Sequence, residues 1–164
     1  MLQKKICLLG TFSVGKTSLV ARYVRSLFSE RYLTTIGVKI DKKVVATPLG
    51  EATLLIWDIY GDDEYQAVRG SFLQGASGYF LVADGTRRSS LERLPMLKRL
   101  IEDTVGAVPC VVLLNKVDLQ ADWELGAVEE EALRELGPLI KTSAKTGHGV
   151  EESFALLTTR MLSG

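Results

Sequence analysis

The segment that most constrains this chain is Gly10-Thr11-Phe12-Ser13-Val14-Gly15-Lys16-Thr17. It fits G-x-x-x-x-G-K-[ST], a pattern with physical meaning only between a strand and a helix. Both flanks are there. Lys4 to Leu9 is an apolar run that reads as a buried strand, and Lys16 to about Arg25 places Leu19, Val20, Tyr23 and Val24 on one helical face. In that setting the glycines let the backbone curl until successive N–H groups face phosphate oxygens. The helix start adds its positive end. The motif assigns Lys16 to the β- and γ-phosphates and the Thr17 hydroxyl to magnesium. Gly10, Ser13, Val14, Gly15 and Ser18 complete the expected phosphate contacts.

The rest of the chain alternates short apolar runs with amphipathic segments. Gly37 to Thr47 and Thr53 to Asp58 read as a hairpin turning at Pro48-Leu49-Gly50. Tyr65 to Gln74 reads as a helix. Tyr79 to Asp84 is a strand, and Ser90 to Val105 is a helix that Ser89 or Ser90 can cap, with Pro95 near its first turn. Cys110 to Asn115 is a strand, Val128 to Leu136 a helix with Glu129, Glu130 and Glu131 at its start, Pro138 to Thr142 a last strand and Val150 to Met161 a closing helix. This order predicts one α/β domain over residues 1–164. Its sheet is mostly parallel and six-stranded, with one antiparallel edge strand and helices on both faces. Ligands of such sheets bind at the carboxyl ends of the strands. The loops after Leu9, Asp58, Asn115 and Thr142 share that edge.

Composition narrows the function classes. A chain of 164 residues buries enough surface to fold without a disulfide or metal staple. Its formal net charge is +0, with no block of like charge, so no broad nucleic-acid or membrane footprint is expected. Cys7 and Cys110 lie in apolar runs and read as buried reduced thiols, which suits a cytoplasmic protein. No apolar stretch approaches the ~20 residues of a membrane span. The final Arg160-Met161-Leu162-Ser163-Gly164 holds no cysteine, so no prenyl anchor is expected.

Base choice must come from elsewhere. Asn115-Lys116-Val117-Asp118 follows a buried strand. A carboxylate at Asp118 can accept from guanine N1–H and the 2-amino group side by side. Adenine offers no such pair and would leave the carboxylate unpaired. The stem of Lys116 can lie across the base, and Asn115 can tie neighbouring loops together. In Asp58-Ile59-Tyr60-Gly61 the aspartate can hold magnesium through water and the glycine N–H can meet a γ-phosphate.

Together these residues resemble the Ras superfamily of small GTPases, a P-loop NTPase fold, and its Rab branch in particular. The ordered set is the phosphate loop, Thr35 in Thr34-Thr35-Ile36-Gly37-Val38, Asp58 to Gly61, Asn115 to Asp118, and Thr142-Ser143-Ala144-Lys145. The resemblance implies binding of GTP and GDP with magnesium, hydrolysis of GTP, and a switch. Thr35 would give its hydroxyl to magnesium and its N–H to the γ-phosphate. Thr17, Thr35 and, through water, Asp58 would form the metal site. Phe28 would pack edge-on against guanine or belong to the core. Tyr32 would close over the phosphates or sit idle on the surface. Ala144 would offer its N–H to guanine O6, braced by Ser143 and Lys145. Effector and regulatory proteins would read segments 29–38 and 58–74 of a monomer. Unanchored Rab-like GTPases occur in prokaryotes, which suits such an origin.

Two departures bear on chemistry. Where the family has a water-orienting glutamine after Gly61, this chain has Asp62, and where it has a small loop residue, this chain has Phe12. Lys16, Thr35, Gly61 and, with the least support, Asp62 are the candidate catalytic groups. Hydrolysis is expected to be slower by roughly ten- to hundredfold, about 1.4–2.7 kcal/mol. The competing reading is a guanine-nucleotide-binding scaffold with negligible hydrolysis. A third, an ATP-using P-loop enzyme, conflicts with Asp118. His148, in a glycine turn, is assigned no role.

Overall fold

The computed structural model describes residues 2–24, 38–60, 68 and 70–163, and the backbone alone of 31–33. In chain order the elements are β1 (Leu2–Leu9), α1 (Lys16–Val24), β2 (Arg31–Leu33), β3 (Val38–Thr47), β4 (Gly50–Ile59), β5 (Gly78–Asp84), α2 (Ser89–Glu92), α3 (Leu94–Val105), β6 (Cys110–Asn115), α4 (Ala127–Leu136), β7 (Leu139–Thr142) and α5 (Val150–Ser163). The strands form one sheet in the order β2-β3-β4-β1-β5-β6-β7. The six expected strands are all there. β4, β1, β5, β6 and β7 pair in parallel and β3 runs antiparallel to β4. The three-residue β2 pairs antiparallel with β3 and adds a seventh.

Side-chain alternation explains the continuous apolar strands. Ile6 and Leu8 of β1, Phe80 and Val82 of β5, and Val111 and Leu113 of β6 face one way, packing with α1 and α5. Cys7 and Leu9, Tyr79, Leu81 and Ala83, and Val112 and Leu114 face the other way, packing with α3 and Leu133 of α4. With both faces covered, every position of β5 and β6 is buried, so these strands carry no polar alternation. Phe154 anchors the first layer. Its ring stacks on Tyr23 with centroids 3.8 Å apart and meets Phe80 edge-on at 4.8 Å.

The hairpin turns at Pro48 and Leu49, with Thr47 paired to Gly50, whose φ of +106° is the left-handed geometry that glycine adopts just after the central pair of a turn. Two expectations need correction. Neither Ser89 nor Ser90 caps the helix that follows β5. That helix divides at Arg93 into α2 and α3, and no side chain caps either piece. Ser90 is buried instead, where its hydroxyl accepts the Asp84 N–H at 2.8 Å and donates to the Arg87 carbonyl at 2.7 Å. Pro95 falls in the first turn of α3, where its missing N–H costs least. Of the helix expected over Tyr65 to Gln74, residues 65–67 and 69 lie outside the described residues, and the described Gly70–Leu73 is a 3-10 turn. No helix among the described residues is long and apolar enough to cross a membrane.

Both thiols are buried and free. Burial pushes Cys7 up to about 12 and Cys110 up to about 11. The thiolate is the nucleophile. Neither cysteine should therefore take up iodoacetamide at pH 7.5 in the folded protein, and both should label in urea, read by intact mass. Labelling of native Cys7 would contradict the packing described here.

Candidate functional site

The chain leaves β1 towards the β4 side of the sheet and leaves β5 towards the β6 side, so a crevice opens between their carboxyl ends. The loop Gly10 to Thr17 fills it. Gly10 is pressed against β5, where an added Cβ would lie 2.6 Å from the Val82 carbonyl oxygen. Gly15 has φ +102°, and a Cβ there would meet Asn115 Nδ2 at 2.3 Å. Ser13, with φ +66°, takes a left-handed conformation that L-residues adopt only at a cost.

Side chains from other strand ends hold this loop by its carbonyls. Asn115, at the end of β6, donates Nδ2–H to the Val14 carbonyl at 2.9 Å and accepts the Thr142 hydroxyl at 3.0 Å. Lys116 Nζ donates to the Ser13 carbonyl at 3.1 Å and pairs with Asp84 Oδ2 at 2.8 Å. Arg87 donates through a terminal nitrogen to the Phe12 carbonyl. Lys16 Nζ donates to the Gly10 carbonyl at 2.9 Å. In a planar trans peptide a carbonyl and the next N–H point opposite ways. Fixing the carbonyls of 12, 13 and 14 therefore turns the N–H groups of Ser13, Val14 and Gly15 to the other side. The Val14 N–H also keeps a long 3.4 Å bond to the Thr11 carbonyl.

A second centre lies at the end of β4. Asp58 is fully buried. Its Oδ2 accepts the Thr17 hydroxyl at 2.5 Å, while Oδ1 has no hydrogen-bond partner among the described residues. Burial raises the Asp58 carboxyl above its ordinary range, outweighing the Thr17 hydroxyl and the nearby Lys16 and Lys39 charges. Asp84 shows the opposite balance. Burial alone would raise it, but hydrogen bonds from Lys116 and Thr86 hold it below the usual carboxylate value.

A third centre joins the turn after β6 to the loop after β7. The Ser143 hydroxyl donates to Asp118 Oδ1 at 2.8 Å. Ser143 N–H bonds the His148 carbonyl at 2.9 Å and the Ser143 carbonyl accepts Gly147 N–H at 2.8 Å, closing the loop around Ala144 and Lys145. Arg22, in the last turn of α1, donates to the carbonyls of Thr146 at 2.9 Å and Lys145 at 3.3 Å. The helix that follows the phosphate loop is thus tied to the Ala144 loop.

A model of the Ras family matches residues 5–163, nearly the whole chain. The chain belongs to the Ras family. It is similar to Ras-related protein Rab-7b of Bos taurus, 33% identical over 164 residues, covering 97% of this chain and 82% of that protein. It is likewise similar to the Ypt/Rab-type GTPase YPT7 of Saccharomyces cerevisiae (34% over 162 residues, 92% and 77% of the two chains) and to Ras-related protein Rab-13 of Bos taurus (30% over 161 residues, 96% and 79%). It is therefore a Rab-like small GTPase, a GTP-binding hydrolase class.

Among the residues singled out in this Ras-family chain, Gly10 to Ser18, Asp58, Asn115, Lys116, Asp118 and Ser143 to Lys145 gather at one edge of the sheet. Phe28, Thr35, Gly61 and Asp62 lie outside the described residues, as does the side chain of Tyr32, whose backbone belongs to β2. Sequence reasoning missed Asp84, Arg87, Thr142 as partner of Asn115, and Trp123. The Trp123 indole donates to the Lys116 carbonyl at 2.9 Å, and its ring fills the space where a Gly85 Cβ would lie. Asp84 alone carried a signal, a charge ending an apolar strand at this same edge.

Proposed function

We propose that this Rab-like chain, a single domain over residues 1–164, binds GTP and GDP with magnesium and hydrolyses GTP slowly as a molecular switch. One observation carries the reading. The carbonyls of Phe12, Ser13 and Val14 are all held from outside the loop, so the N–H groups that follow them turn to the other side beside the helix start and can line an anion cradle, the Val14 N–H exchanging its long bond to the Thr11 carbonyl. Asp118, presented by the Ser143 hydroxyl, supplies the base-selecting carboxylate, and the Ala144 N–H supplies the contact to guanine O6.

The residues fit a magnesium ion. A hard dication favours oxygen donors and keeps several waters. The unpartnered Oδ1 of buried Asp58, beside the Thr17 hydroxyl, is an anionic oxygen in want of a cationic or water partner. Thr17 and Thr35 would hold the ion directly and Asp58 through water. The ion would neutralise charge developing on the β- and γ-phosphate oxygens. Lys16 would exchange the Gly10 carbonyl for phosphate when nucleotide enters. Thr35 and Gly61 would be held by the γ-phosphate and released after hydrolysis, changing the surfaces 29–38 and 58–74 that partners read.

Slow turnover follows from Phe12 and Asp62. Phe12 is 70% exposed, and a ring at this place in the loop would crowd any water or helper arginine approaching the γ-phosphate. Asp62 is shorter than glutamine and adds negative charge facing a polyanionic transition state. Asp62→Gln should raise the single-turnover GTP hydrolysis rate by about tenfold, roughly 1.4 kcal/mol, with Phe12 still present. The native rate should lie well below that of glutamine-bearing relatives. Turnover equal to theirs would remove the slow-switch reading, and none at all would favour the scaffold. Nucleotide identified after acid release from the purified protein tests the base: GDP or GTP is expected, and ATP displacing GDP at comparable concentration would overturn the assignment.

A further inference from the structure

Asp84 ends β5 fully buried, with one carboxylate oxygen hydrogen-bonded and the other facing two cations. Oδ1 accepts the Thr86 N–H at 2.8 Å and the Thr86 hydroxyl at 2.7 Å. Oδ2 lies 2.8 Å from Lys116 Nζ and 3.4 Å from Arg87 Nε. Both Oδ2 contacts are ion pairs without hydrogen-bond alignment. Each cation then reaches onward to a carbonyl of the phosphate loop, Lys116 to Ser13 and Arg87 to Phe12. These two carbonyls flank Ser13, the residue held at φ +66°.

We infer that Arg87 is a positioning residue for the nucleotide phosphates, acting through the Phe12 carbonyl to aim the Ser13 N–H into the cradle. The inference rests on the proposed function and adds a residue to it. Asn115 and Lys116 hold the Val14 and Ser13 carbonyls from the base-side turn. Arg87 comes from a different loop, the one after β5, and completes the row. Without it the Phe12–Ser13 peptide is free to rotate, and Ser13 can relax from a conformation that is unfavourable for an L-residue. The guanidinium suits the task because its fork can face Asp84 through Nε while a terminal N–H meets a carbonyl. Its aim is preset, because Asp84 is itself held by the Thr86 N–H and hydroxyl. Arg87 stands on the carbonyl side of the loop, opposite the N–H groups, so it positions the phosphate donors and does not itself touch phosphate.

The test uses the full chain and two ligands, GDP and GMP, each measured by competition against a fluorescent guanine nucleotide. GMP lacks the β-phosphate that the curled loop encircles. Arg87→Ala should weaken GDP binding by about tenfold, the loss of one charge-assisted hydrogen bond to the loop, and leave GMP within about twofold. Arg87→Lys keeps a donor and loses the fork, and should fall between. A purely structural loosening would weaken both ligands alike, and an idle surface arginine would change neither. Either result overturns the positioning role while leaving guanine-nucleotide binding intact. A native protein that binds no GDP would instead remove the proposed function, and this inference with it.

Discussion

Replacing Asp118 with alanine should lower the affinity for GTP and GDP by roughly 10²- to 10⁴-fold while leaving the weak affinity for ATP nearly unchanged. The carboxylate offers acceptors to two guanine donors, and hydrogen bonds to a charged group contribute about 1.5–3 kcal/mol each. Two of them amount to roughly 3–6 kcal/mol, at about 1.4 kcal/mol per tenfold. Folding should hardly notice. The Asp118 side chain is exposed in the turn Val117–Asp122, and its only described bond is from the Ser143 hydroxyl. That hydroxyl also accepts the Thr146 N–H at 3.1 Å, so the Ala144 loop keeps a second tie. Calorimetric titration of GDP and ATP into the two proteins measures the difference. Equal losses for both nucleotides would mean that Asp118 shapes the pocket and does not select the base.

The same pair of loops shows what could be read without coordinates and what could not. Gly10 to Thr17 and Asn115 to Asp118 were legible because their chemistry is local: each is a short string whose residue types and spacing match one ligand fragment. The six principal strands were legible because both faces of the sheet are covered. Runs such as Tyr79 to Ala83 are continuously apolar for that reason and stand out from the helices between them. What escaped is set by contacts between distant strand ends. Arg87 and Phe12 are 75 residues apart, and nothing in the sequence near Arg87 distinguishes it from Arg88, which pairs with Glu129 instead. Ser90 looked like a cap because caps are local, yet the Asp84 N–H and the Arg87 carbonyl claimed its hydroxyl. The tertiary contact won over the local rule. β2 was missed because three residues on an edge leave no periodicity to count.

Asp58→Asn should have opposite effects on the empty and the magnesium-bearing protein. Among the described residues one oxygen of the buried Asp58 carboxylate has no hydrogen-bond partner, and burial raises its pKa. An acid whose pKa is higher in the folded than in the unfolded chain stabilises the fold only while protonated. Its contribution is fully present below the unfolded value of about 4 and is lost as pH rises through the folded value. Where Asp58 is ionised and no cation is bound, the fold carries that charge unrelieved. Asparagine removes it and keeps a partner for the Thr17 hydroxyl. Stability in EDTA, from urea melts, should rise by about 1–3 kcal/mol at pH 7.5, the scale of one unsatisfied buried group. The gain should shrink as the pH is lowered and vanish once Asp58 is protonated in both states. On the proposed function magnesium should reverse the ranking, because the dication is what the native carboxylate would meet through water. Losing such an outer partner typically costs about 10- to 100-fold in metal affinity. The tightening of GDP by millimolar magnesium should fall by that factor in Asp58→Asn. If both proteins gain equally from magnesium, Asp58 has no part in the metal site. If Asp58→Asn is also the less stable protein in EDTA at pH 7.5, the charge at the end of β4 is satisfied by a group other than those described.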